Sequence, residues 1–191
     1  MRRAMEWRKV QLWQAGLGLA WCGFAGWWAF VRDDRVPLLA FVNLGFHELG
    51  HLICYLVPVV GTVVTAAAGS TTQCLVPLAL AAYFLVWRRD RLACAACLAW
   101  GATNFQEAAV YIADAPYERL QLIGGEHDWA AVLGPEHLDR LHDAGSIAAT
   151  VRGIGVVVLV IAVGLCLVGL ATAGTKHPAD ASDAPREHYL V

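Results

Sequence analysis

Charge is scarce in this chain. Asp, Glu, Lys and Arg make up 16% of its 191 residues, and 58% are hydrophobic. So little charge excludes a solvated or intrinsically disordered chain and points to a membrane protein. No basic stripe is present and the formal net charge is −2, which argues against a nucleic-acid partner. No internal repeat is visible. No disulfide framework is indicated either. The six cysteines, at 22, 54, 74, 94, 97 and 166, all lie in or beside apolar runs, where a thiol behaves as a small hydrophobe. Cys94-Ala-Ala-Cys97 has the spacing of a redox motif, but no strand precedes it. A cleavable leader is not expected. Basic residues do open the chain, yet the apolar run after Lys9 is of spanning length and lacks a small-residue cleavage site.

What is present is a set of long apolar runs. Five approach the roughly 17–25 residues that cross a bilayer: residues 10–31, 36–57, 72–87, 92–113 and 147–173. The expected fold is therefore an all-α integral membrane protein with about five transmembrane helices. Residues 1–173 form one transmembrane domain, and 174–191 form a polar, disordered tail. Trp7, Trp13, Trp21, Trp27 and Trp28 suit interfacial anchoring of the first helix. Arg32-Asp33-Asp34-Arg35 and Arg88-Arg89-Asp90-Arg91 read as polar turns. Basic residues divide almost evenly between the two faces that five spans would create, so they do not set the orientation.

Two stretches depart from this pattern. Residues 58–72 are small and β-branched, with Gly61 and Gly69. They are expected as a short re-entrant or hairpin segment after the second helix, which a membrane tolerates where protein or water satisfies the backbone. Residues 114–146 form the large polar loop. Within it, Gly134 to His142 resembles a short helix with Pro135 at its first position. His137 and His142 are five apart, poor spacing for one metal, and are expected to be solvated.

The densest chemistry lies in the second run, at His47-Glu48-Leu49-Gly50-His51. Positions i and i+4 share one helix face, so the two imidazoles can bind one metal. Imidazole suits zinc, and a catalytic zinc usually takes three protein ligands plus water. Glu48, about 100° round the helix, is placed to act as the general base rather than as a ligand. Ionisable groups inside a membrane are costly and are functional candidates for that reason.

Polar stripes suggest where a third ligand comes from. Asn43, His47, His51 and Tyr55 line one face of the second run, and Asn104, Glu107, Tyr111 and Asp114 line one face of the fourth. Such stripes face the bundle interior. Counting 1.5 Å per residue from the preceding polar turns puts His51 and Glu107 both about 24 Å along their helices. Glu107 is thus the first choice for the third ligand. His127, in the following loop, is the other candidate, with Asp128 as an acceptor that orients an imidazole.

These residues resemble a family. The His-Glu-Leu-Gly-His pentad, followed by Gly69 to Gln73, Asn104 and an acidic residue two spans later, is similar to the site-2 protease class of intramembrane zinc metallopeptidases. Tyr111 to Ala115 and His127 to Trp129 match small bacterial membrane proteins related to that class. The resemblance covers residues 36–130. It implies zinc on His47 and His51, Glu48 as base, and residence in a bacterial cytoplasmic membrane. Where the class carries Leu-Asp-Gly, this chain has Gln106-Glu107-Ala108.

The function expected is cleavage of a peptide bond within or near the membrane by zinc-activated water. The alternative is a non-proteolytic membrane metalloprotein, such as a metal sensor or an accessory subunit of a larger complex, with a closed site such as His47, His51, Glu107 and His127. A proton or metal transporter is a third reading. The partners expected are the lipid bilayer and a transmembrane protein substrate or a larger membrane complex.

Overall fold

The computed structural model describes residues 7–57, 60–122 and 126–173, and among these all regular structure is helical. The tail expected to be disordered, 174–191, lies outside the described residues, as do Pro58 and Gly124-Gly125. Helix α1 spans Leu12–Gly26 and runs on into a π turn, Trp27–Val31. It is followed by α2 (Leu39–Tyr55), α3 (Thr62–Val86), α4 (Arg91–Asp114), α5 (Asp128–Leu133) and α6 (Ala144–Ala173). The start of α4 is set by Asp90, whose side chain accepts from Ala93 N at 3.0 Å, satisfying one of the free amides of the first turn. Two helical stretches, Thr62–Val86 and Leu141–Ala173, are long and apolar enough to cross a membrane.

Two local expectations need correction. Residues 62–72 are not a hairpin or re-entrant segment but the first turns of α3. Their small side chains serve helix contact. A Cβ on Gly50 would collide with the Ala68 carbonyl and lie 2.7 Å from Thr72 Oγ1, so α2 and α3 meet backbone to backbone, as small residues allow in apolar surroundings. Residues 134–138 are turn rather than helix, and the helix of this loop lies earlier, at Asp128–Leu133. His127 starts it, its Nδ1 accepting from Ala130 N at 3.1 Å.

Contacts give the direction of each helix. Gly18 packs on Cys166 and Leu92, Gly26 on Leu159, Gly155 on Ala102 and Phe105, and Gly169 on Leu92. So α6 runs antiparallel to both α1 and α4, and α1 is parallel to α4. On the other flank, His51 meets Thr65, Gly69 meets His47, Gln73 meets Glu107, and Gly101 meets Leu78. So α3 is antiparallel to both α2 and α4, and α2 too is parallel to α4.

Consecutive helices α1 and α2 therefore point the same way. The linker 32–38 can span at most about 25 Å, less than the roughly 30 Å rise of α1 with its π turn. It cannot carry the chain back to the starting end, so the two helices stand in tandem. The Arg32–Arg35 segment does not reverse the chain. Asp33 instead sits beside α4 and α6, accepting from Gln106 Nε2 at 3.2 Å and pairing with Arg152 at 2.5 Å. Among the described residues the chain passes between the ends of the bundle four times rather than five: α1 with α2, then α3, α4 and α6. Residues 7–10, 87–91 and 169–173 share one end. Residues 55–57, 60–62, 114–122 and 126–146 share the other.

Candidate metal centre

The i,i+4 spacing on α2 brings the His47 and His51 rings to 4.8 Å between centroids. Both face Gly69 of α3. A Cβ there would lie 2.5 Å from His47 Nε2 and 2.6 Å from His51 Nε2, so glycine keeps open the space beside both nitrogens. The third member comes from α5. Asp128 Oδ2 stands 3.1 Å from His47 Nε2 and 3.3 Å from His51 Nε2. His47, His51 and Asp128 form a group that could hold a metal ion.

The hydrogen-bond geometry leaves room for a proton or a metal ion at the centre of the trio. His51 Nδ1 lies 2.8 Å from the Thr65 carbonyl, which can only accept, so Nδ1 carries the proton. In the neutral ring Nε2 is then a bare acceptor. It faces the carboxylate of Asp128, another acceptor, and a proton on Nε2 or a metal ion between the two makes that contact favourable. Donors at about 2.0–2.1 Å from a tetrahedral zinc stand about 3.3 Å apart, close to the spacings found here. The Thr65 carbonyl also has the role expected of a group that orients a ligand imidazole.

Asp128 is itself held. Tyr111 Oη donates to its Oδ2 at 3.2 Å and accepts from its backbone N at 3.0 Å. Burial pushes the Asp128 carboxyl up, but the His47 hydrogen bond, the charges of His51 and His47 and the Tyr111 hydroxyl outweigh this and leave it below its ordinary value. Glu48 lines the same cavity, of about 360 Å³, together with His47, His51, Gln73, Glu107 and Asp128.

The remaining expected residues are placed apart from this trio. Glu107 accepts from Asn43 Nδ2 and Gln73 Nε2, both at 2.9 Å, and is not part of the metal-capable group. The depth count that paired it with His51 assumed that α2 starts at the bundle end. Because α1 and α2 are in tandem, α2 starts far along α4, and Glu107 is level with Asn43 instead. Asn104 donates to the Gln73 carbonyl at 2.6 Å, fixing α3 on α4. His127 is buried, caps α5, and has Nε2 3.4 Å from Asp114 Oδ2. Asp128, expected to orient an imidazole, stands beside both. Trp100 was not singled out from sequence. Its indole donates to Asn43 Oδ1 at 2.7 Å, and its place one turn before Asn104 on the polar stripe was the signal for it. His137, expected as solvated, is exposed and meets Thr62 Oγ1 at 2.8 Å.

No family model, curated protein or solved structure matches this chain.

Proposed function

We propose that this chain is an integral membrane zinc peptidase. His47, His51 and Asp128 would hold the zinc, and Glu48 is the general base. The observation that carries the reading is the meeting of three ligand-type groups with a carboxylate in one polar cavity. A zinc ion there would supply Lewis acidity to a peptide carbonyl and make water a stronger acid. Glu48 takes the proton released by that water and returns it to the leaving amine. Tyr111 holds Asp128 in register with both imidazoles. The polar walls of the cavity admit water to the site.

The donor count supports an open, catalytic site over a closed, structural one. The two residues expected to close it, Glu107 and His127, are engaged by Asn43 and Gln73 and by the start of α5. The bilayer part of the reading rests on composition and on the outward apolar faces. Leu17, Phe24, Val31, Val157, Val160 and Ile161 are all at least half exposed or close to it, which suits lipid contact and not water. In this reading α1 with α2, α3, α4 and α6 cross a bacterial cytoplasmic membrane, and the substrate is a membrane protein.

Metal analysis combined with a cleavage assay tests the proposal. Wild type, purified without chelators, should carry zinc near one equivalent, and His47→Ala and Asp128→Asn should lose it. Glu48→Gln should keep zinc yet fail to cut a single-span reporter polypeptide co-reconstituted in liposomes. Cleavage by Glu48→Gln at the wild-type rate, or a wild type without bound metal, would sink the reading.

A further inference from the structure

A second cavity, of about 370 Å³, lies at the opposite end from the metal centre, between the first turns of α1 and α4. Arg8, Lys9, Trp13, Gln14, Leu17 and Leu92 are among the residues that line it. Arg8 is neutralised by Asp90 at 2.5 Å. Lys9 has no ion-pair partner among the described residues. Nearby, Arg91 and Arg89 stack on Trp7 at 4.2 and 5.3 Å, and Arg89 Nε is buried without a hydrogen-bond partner.

We propose that this cavity binds the phosphate headgroup of an anionic phospholipid. The inference rests on the membrane-spanning part of the reading above and not on the metal. Three properties meet here that an anionic lipid needs: cationic side chains, indoles beside them, and apolar surface at Leu17 and Leu92 for an acyl chain. A zwitterionic lipid would bring its own ammonium against Lys9 and is disfavoured. The charge of the whole end agrees. Arg8, Lys9, Arg88, Arg89 and Arg91 gather there, with Asp90 the one carboxylate among the described residues. The other end carries Asp114, Glu118, Glu126, Asp128, Glu136, Asp139 and Asp143 against Arg119 and Arg140. Under the positive-inside rule the basic end is cytoplasmic. The lipid is then one of the cytoplasmic leaflet, and the metal centre opens toward the opposite face.

Five spans would put Lys9 and Arg88 on opposite sides. The structure puts them together, with Arg8 N donating to the Arg89 carbonyl at 3.1 Å.

The test is lipid retention in nanodiscs made from an equimolar mixture of phosphatidylcholine and phosphatidylglycerol. After extraction into mild detergent, native mass spectrometry counts the lipids that stay bound. Wild type should retain phosphatidylglycerol several-fold over phosphatidylcholine. Lys9→Glu should abolish that preference, Lys9→Gln should weaken it, and both should keep the wild-type metal content. Equal retention of the two lipids by wild type, or an unchanged preference in Lys9→Glu, overturns the proposal. So does displacement of the bound lipid by soluble glycerophosphate at equal concentration, which would make the site one for a free anion. Carbonate extraction of the membranes separates the two readings. A chain released by carbonate is not spanning, and both fail. A chain retained without lipid preference defeats the lipid site alone.

Discussion

Asp128 answers to three side chains at once: two imidazoles and the Tyr111 hydroxyl. Burial opposes its charge, and these partners more than restore it, so its carboxyl lies below the ordinary value. The sign of the pH effect follows. A carboxyl depressed by folding adds stability above its unfolded pKa of about 4, and that stability fades as pH falls through the lower folded value. Metal-free wild type should therefore melt above Asp128→Asn near neutral pH, and the gap should close in acid below about pH 4. Melting curves of the two proteins in detergent across that range decide it. A gap that stays constant into acid would mean that Asp128 acts by shape and not by charge. Gly69 has a different role at the same site. It contributes no contact, only the room that both Nε2 atoms need.

At the scale of the helix, α2 and α3 illustrate why small residues matter at a helix contact. Where two helices lack large side chains at their contact, close backbone packing holds them together. Gly50 and Gly45 sit on the same helix and make a controlled pair. A methyl on Gly50 meets Ala68 and Thr72, whereas one on Gly45 meets nothing within 4 Å. Gly50→Ala should destabilise the protein by about 1–3 kcal/mol through overpacking, and Gly45→Ala should be neutral or slightly stabilising. Unfolding in mixed micelles compares them. Equal stabilities for the two variants would show that α2 is not pressed onto α3. Because His47 and His51 face the same seam, Gly50→Ala should also loosen metal binding, while Gly45→Ala should leave it intact.

At the scale of the molecule, the tandem arrangement of α1 and α2 sets which ends are shared. Single cysteines introduced at Lys9, Arg88 and Asp139, in a background with the native cysteines replaced, can be labelled from one side of sealed vesicles. Positions 9 and 88 should react from the same side and 139 from the other. A five-span chain would put 9 and 88 on opposite sides, and that result would dismantle the topology. The same arrangement brings the basic residues to one end and the acidic loop to the other, so one packing decision sets which charges share an end.

The local features were legible in the sequence. The helices at 12–31, 39–55, 91–114 and 144–173 follow from uninterrupted apolar runs, and the pairing of His47 with His51 follows from the helical repeat, which needs no knowledge of neighbours. Residues 58–72 misled because glycine and β-branched side chains weaken local helix signals, while the worth of the small residues lies in contact with α2. The third member of the candidate site was decided by tertiary structure. Glu107 and Asp128 are both acidic and both within reach of an argument from sequence. The level at which α2 starts beside α4 determines which of them faces the imidazoles. That level depends on a seven-residue linker too short to return the chain, and on glycine contacts between helices far apart in sequence. Both are properties of packing, on which composition and periodicity are silent.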